Sequence, residues 1–174
     1  MVAAELLVDA LGRVKDTVHA AVEGLDEPQL SARLDPQANS IAWLVWHLTR
    51  VQDDHLAEAA DSAQVWLADG WARRFGLPFD DDATGYGQSS ADVTAVRAPA
   101  DLLLGYHDAV HASSVTWLRT VADADLRRVV DERWDPPVTL AVRLVSVVDD
   151  DMQHAGQAAF LRGVLDRRAQ QPST

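Results

Sequence analysis

Residues 39–56, "NSIAWLVWHLTRVQDDHL", and residues 147–161, "VVDDDMQHAGQAAFL", decide the fold, because each carries an apolar helical stripe interrupted by charge. In the first, Ile41, Leu44, Leu48 and Val51 recur at helical spacing behind Asn39 or Ser40, either of which can cap the free amides. In the second, Val147, Ala158 and Leu161 keep the period while three aspartates and His154 stand among them. An unpaired carboxylate turned into a core costs several kcal/mol, so such charge requires a cation, a metal or strong hydrogen bonds.

Two further stretches share the period. A first helix spans about residues 3–24, with Leu6, Leu7, Ala10, Leu11, Val14, Val18 and Val22 on one stripe and Gly24 as its stop. A third starts near Pro99 and carries Leu103, Tyr106, Val110, Trp117 and Val121. The fourth, which holds the aspartates, follows "WDPP", is capped by Thr139 and continues through Leu140, Leu144 and on to Leu165. No segment alternates apolar and polar residues between turns, so the class is all-α with no sheet. Between the second and third helices, residues 61–98 are rich in Gly, Asp, Trp and Phe. A structureless connection that long is uncommon, so it should contain short helical turns and either cover a site or join two helices running the same way. The expectation is one four-helix bundle over residues 1–168 with a long crossover, then a short tail at 169–174.

The 174 residues form a chain long enough to bury about two thirds of its unfolded surface without disulfides. Its 27 acidic and 15 basic residues leave a net charge of −12 with no basic run, which works against a nucleic-acid partner. Cysteine is absent, which removes disulfides, thiolate metal ligands and an internal thiol nucleophile together. Any thiol chemistry must use a thiol from outside. The N-terminus mixes Glu5, Asp9, Arg13, Lys15 and Asp16 into its apolar residues, unlike a signal peptide or a membrane span. A cytoplasmic chain with no membrane partner is expected.

Residues four apart on a helix project about 40° from each other, so Asp150 and His154 share a face. Asp149 points away to solvent, and Asp151, three before His154, remains an alternative. An aspartate that only orients a histidine, or pairs with Arg143 or Arg162, would need no metal. On the second helix His55 continues the apolar stripe and His47 flanks it, and periodicity does not choose between them. The third helix adds His107 and His111, an i, i+4 pair of the kind that binds zinc elsewhere, or else a half-exposed pair at the bundle edge. His19 reads as an ordinary boundary residue. Among six tryptophans most should be core anchors, while Trp66, Trp71, Phe75 and Phe79 of the crossover can instead line an apolar entrance.

"NSIAWLVWHLTRVQDDHL" taken together with "DDDMQHAGQAAFLRG" resembles the DinB/YfiT-like superfamily, within it the actinobacterial branch similar to mycothiol-dependent maleylpyruvate isomerase. The resemblance extends over nearly the whole chain, though only these two stretches are motif-specific. It implies a divalent ion, bound by the histidine that follows a Trp on the second helix and by an i, i+4 pair on the fourth; two imidazoles and a carboxylate suit Zn, Ni or Fe. Those positions are His47, Asp150 and His154, while His55, His107 and His111 stay unligated. Many members have His at the position of Asp150 and the isomerase-like ones Glu; Asp keeps the ligand type and shortens its reach by one methylene. Arg50, Asp54 and Asp151 are candidates to support the ligands or meet the substrate.

Two imidazoles and one carboxylate leave open positions on an ion, the pattern of a catalytic site. A bound thiol there becomes a thiolate near neutral pH. The expected activity is thiol S-transfer, with mycothiol as the low-molecular-weight thiol and a small electrophile as its acceptor. A metal-binding, stress-associated bundle without turnover and a hydrolase using bound water are the alternatives. The isomerase-like relatives carry a further C-terminal domain that contributes to catalysis, and the helical pattern here ends near residue 168, so isomerisation is not expected. Base rates for such bundles predict a homodimer.

Overall fold

A computed structural model describes residues 3–170. Four long helices make the bundle: α1 (Ala3–Val22), α3 (Ile41–Ala60), α7 (Ala100–Leu118) and α8 (Leu140–Ala169). Short helices occupy the connections: α2 (Glu27–Leu30), α4 (Val65–Ala68), α5 (Trp71–Phe75) and α6 (Ser90–Ala95). The capping residues lie where the sequence places them. The Ser40 hydroxyl accepts from the Trp43 amide at 3.1 Å, and that of Thr139 from the Val142 amide at 3.4 Å. Pro99 is the N-cap of α7. Gly24, at φ +78°, follows the end of α1, a conformation that costs a glycine little.

Partners across the helices fix their directions. Asp108 meets both His19 and Lys15 of α1, and Arg162 of α8 donates to the Glu23 carbonyl at the end of α1. Leu11 packs with Leu140, Leu144 and Val147, so α1 and α8 run parallel. His107 meets Thr49 and Gln52 meets Ser114, so α7 runs parallel to α3. His47 faces His154 while Arg143 faces Glu58, so α3 and α8 are antiparallel. The crossover is thus the consequence of two parallel neighbours, which no short turn can join.

Five expectations need correction. A two-stranded antiparallel ladder, β1 (Val129–Asp131) with β2 (Val138–Thr139), stands before α8; it is too short for alternation to reveal. Leu6 is exposed; of the expected α1 stripe Leu11, Val14, Val18 and Val22 are buried, joined by Ala4 and Ala21. Val121 lies beyond the end of α7, whose buried stripe is Leu103, Tyr106, Val110, Ser114 and Leu118. Trp66 and Phe75 are buried against Tyr106, with Trp71 beside it, so the crossover aromatics seal the bundle rather than line an entrance. The expected tail at 169–174 begins inside α8, and residues 171–174 lie outside the described residues.

Candidate metal centre

The three consecutive aspartates of α8 have three different fates, because each step along a helix turns a side chain by about 100°. Asp149 points outward and accepts from Gln153 at 2.8 Å. Asp150 turns toward α3, where its Oδ1 lies 3.5 Å from His154 Nε2 and its Oδ2 is buried with no hydrogen-bond partner. Asp151 faces the bundle axis, fully buried, with neither oxygen partnered. Burial pushes its carboxyl well above the usual carboxylate range.

His47 completes the group from α3. One donor atom each from His47, Asp150 and His154 lies within 4.8 Å of the others, the only such cluster of three or more among the described residues. The geometry assigns the nitrogens. His47 Nδ1–H donates to the Thr84 carbonyl, which leaves the Nε2 lone pair free, and His154 Nε2 faces Asp150 while its Nδ1 lies 3.3 Å from Gln157 Oε1. The His47 ring stacks on Trp43, centroids 4.5 Å apart and planes 18° apart, and meets His154 edge-on at 4.8 Å. Burial holds His47 below the ordinary imidazole value, the neutral form that a metal takes. The Asp150 carboxylate, 3.5 Å from its Nε2, raises His154. An orphaned carboxylate oxygen beside two imidazoles, one of them already oriented by a carbonyl, fits a divalent ion such as zinc.

The supporting residues expected from sequence lie elsewhere. Arg50 is fully buried and donates to Ala83 O at 3.1 Å and Gln64 Oε1 at 2.9 Å, tying down the crossover. Asp54 accepts from Gln64 at 2.7 Å and sits 3.6 Å from His55 Nδ1. Asp151 belongs to the core. Thr84 and Gln157 take their place beside the histidines. Nothing in the spacing of the crossover points to a backbone carbonyl; the only trace is Gly85, next to it, whose φ of +98° lets the chain pass over His47.

The other histidines stay apart from this cluster. His107 is fully buried on the far side of α3, with Nδ1 3.1 Å from Thr49 Oγ1, and His111 is half-buried with Nε2 unpartnered. His19 is held between Asp108 at 2.8 Å and Glu23 at 3.0 Å. His55 lines an open cleft of 620 Å³ that reaches the cluster, together with His47, Tyr86, Trp134, Arg143 and Asp150. Tyr86, 94% exposed, and Trp134, 65% exposed, are the aromatics of this mouth. Among the described residues no helix is long and apolar enough to cross a membrane.

A crystal structure of a conserved protein from Enterococcus faecalis superimposes with a TM-score of 0.89 at 28% identity, covering 96% of this chain and 99% of that one. No match was found among curated proteins. The sequence model described as mycothiol-S-transferase matches residues 6–167, a span that contains all four bundle helices but for the ends of α1 and α8, and the chain therefore belongs to this DinB-like family.

Proposed function

We propose that the protein is a metal-dependent S-transferase in which His47, Asp150 and His154 hold one divalent ion and mycothiol is the thiol brought to it. The observation that carries this reading is the convergence of the three donors, with Asp150 Oδ2 unpartnered, at the end of an open cleft in a chain without cysteine. The family to which the chain belongs is named for the same transfer. A divalent ion in this donor set supplies a Lewis acid that lowers the pKa of a coordinated thiol.

The protein's own groups prepare for that ion. Burial keeps His47 unprotonated, the Thr84 carbonyl fixes its tautomer, and Trp43 holds its plane. Three protein ligands leave room for a substrate atom. In the transfer the S–H bond breaks and its proton goes to solvent through the open mouth, a sulfur lone pair forms the sulfur–carbon bond, and the bond from that carbon to the leaving group breaks, its electron pair departing with the leaving group. Sulfur is not oxidised, so no redox partner is needed.

The test begins with metal analysis of protein purified without a histidine tag. The cobalt-substituted protein should then develop a thiolate-to-metal charge-transfer band on adding mycothiol, and should accelerate its conjugation to monobromobimane. Metal bound at one per chain with no band from any thiol would overturn S-transfer and move hydrolysis by bound water ahead.

A further inference from the structure

Two turns away from the three donors, the same cleft contains a second set of unsatisfied polar atoms. Because α3 and α8 are antiparallel, going from His47 to His55 and from Asp150 back to Arg143 moves in one direction along the bundle. Eight and seven residues at 1.5 Å each place this set about 10 to 12 Å from the metal ligands. Arg143 is only 10% exposed, and its Nε–H is buried without a partner. His55 Nδ1 is likewise buried and unpartnered, its nearest carboxylate oxygen being 3.6 Å away. Both side chains line the cleft, and Trp134 and Tyr86 stand exposed at its rim.

The charges at this end are already matched. Asp131 accepts from Arg143 at 2.9 Å and from Arg133 at 2.8 and 3.0 Å, and Glu58 lies 3.3 Å from Arg133 and 4.0 Å from Arg143. Two guanidinium groups thus face two carboxylates, with Asp54 and Asp150 adding further negative charge nearby. An anionic ligand gains little there. A buried donor left unpaired costs about 1–3 kcal/mol, so the orphaned Nε–H calls for a neutral acceptor. A hydroxyl suits both orphans, since it accepts from Arg143 and pairs with His55 in either tautomer. Exposed indole and phenol faces suit the C–H faces of a hydroxylated ring.

We propose that Arg143 and His55, with Trp134 at the rim, form the specificity-determining end of the cleft and take an uncharged, polyhydroxylated ring of the thiol substrate about 10 Å from its sulfur. The assignment rests on the S-transfer reading for where the sulfur goes, but not for the ring.

The test compares the wild-type chain with Arg143→Lys, Arg143→Met, His55→Phe and Trp134→Ala, each checked for helicity and metal content. In the cobalt form, the band is titrated with mycothiol, which is uncharged and hydroxylated, with glutathione, which is charged, and with 2-mercaptoethanol, which cannot span the cleft. In metal-free protein, calorimetry follows S-methylmycothiol, which has no thiol to ionise. The expected result is a loss of about tenfold or more in mycothiol and S-methylmycothiol affinity for Arg143→Met. Arg143→Lys keeps the charge without the fixed Nε–H and should not rescue it. 2-Mercaptoethanol should change by less than twofold. Trp134→Ala, at a side chain 65% exposed, should lose affinity for mycothiol and S-methylmycothiol alone. Glutathione binding the wild type as tightly as mycothiol, or Arg143→Lys binding mycothiol like wild type, overturns the proposal. If no thiol gives a band while S-methylmycothiol still depends on Arg143, the S-transfer reading fails and the hydroxyl site stands.

Discussion

A Cβ built on Gly85 would lie 2.6 Å from His47 Nδ1, closer than any real side chain tolerates, while the carbonyl of the preceding Thr84 accepts the proton on that same nitrogen. The crossover therefore sets the orientation of His47, the candidate ligand on α3. Gly85→Ala has to push the imidazole away, and at φ +98° the backbone itself resists the change. The expected outcome is a loss of about 10 to 100-fold in metal affinity, the range for losing support of a metal-bound histidine. Competition titration with a chelator reads it. Gly87→Ala, at another positive φ but with nothing within 4 Å, separates strain from contact. Equal affinity in the two variants would show that the contact with His47 does not matter.

Replacement of the proposed ligands should sort the candidate residues sharply. His47→Ala, Asp150→Ala and His154→Ala should each abolish stoichiometric metal, whereas His55→Ala, His107→Ala and Asp151→Ala should retain it. Asp151 is the informative member of this series, being adjacent in sequence to Asp150 yet turned into the core with both oxygens unpartnered. Mass spectrometry under native conditions gives the stoichiometry. Loss of metal in Asp151→Ala with retention in Asp150→Ala would place the carboxylate ligand one residue on.

The bundle was legible because Leu140, Leu144, Val147, Ala158 and Leu161 keep one helical period through the acidic run, and the caps at Ser40 and Thr139 announce where two helices begin. The choice of His47 over His55 was not legible from periodicity. The crossover covers the outer face of α3, so residues 41–50 are buried all round and no stripe distinguishes one side. Resemblance supplied that choice. The aspartates divide by angle: spacing paired Asp150 with His154, but it could not reveal that Asp151 occupies a core position between Val147 and Ala155 without a partner. The role of Thr84 was hidden because a backbone carbonyl leaves no mark on composition, and Trp134 reaches the mouth only through a ladder too short to read.

His107 offers a test by pH. Thr49 Oγ1 gives its proton to the Val45 carbonyl at 2.7 Å, so His107 Nδ1–H must be the donor in the 3.1 Å bond to that hydroxyl, and Nε2 is bare. Burial, with His111 nearby, holds the ring neutral and lowers its pKa to about 3. An unfolded His107 takes up its proton near pH 6.5, whereas the folded one does not until about pH 3. Between these values the unfolded chain binds the extra proton, so stability falls as pH falls, by up to about 1.4 kcal/mol per unit for this group. His107→Gln removes the group, and urea unfolding from pH 7 to 5 should show a shallower slope than wild type whatever its stability at pH 7. Parallel slopes would mean that the buried ring finds a way to hold its proton.

Arg50 links stability to the site. Its guanidinium, fully buried, lies 3.7 Å from Asp53 and 5.0 Å over the Trp66 ring, and it donates to the carbonyl of Ala83, the residue before Thr84. Asp53 is also held by the amides of Val65 and Trp66 at 2.9 and 2.7 Å and by the Tyr106 hydroxyl at 2.9 Å. Arg50→Met preserves the volume of the stem but leaves the Asp53 carboxylate buried without its cation, a change that costs about 3–5 kcal/mol in comparable pairs. Arg50→Lys returns a charge but not the planar fork that reaches Gln64 and Ala83 together, so it should recover only part of the loss. Unfolding is to be followed on metal-free protein, since bound metal would add its own linkage to the measured stability. Metal affinity, measured separately below the unfolding range, should also fall in Arg50→Met, because the crossover segment that presents Thr84 to His47 loses its anchor one residue upstream. Undiminished metal affinity in a destabilised Arg50→Met would show that the Thr84 carbonyl is held by the Gly85 turn alone.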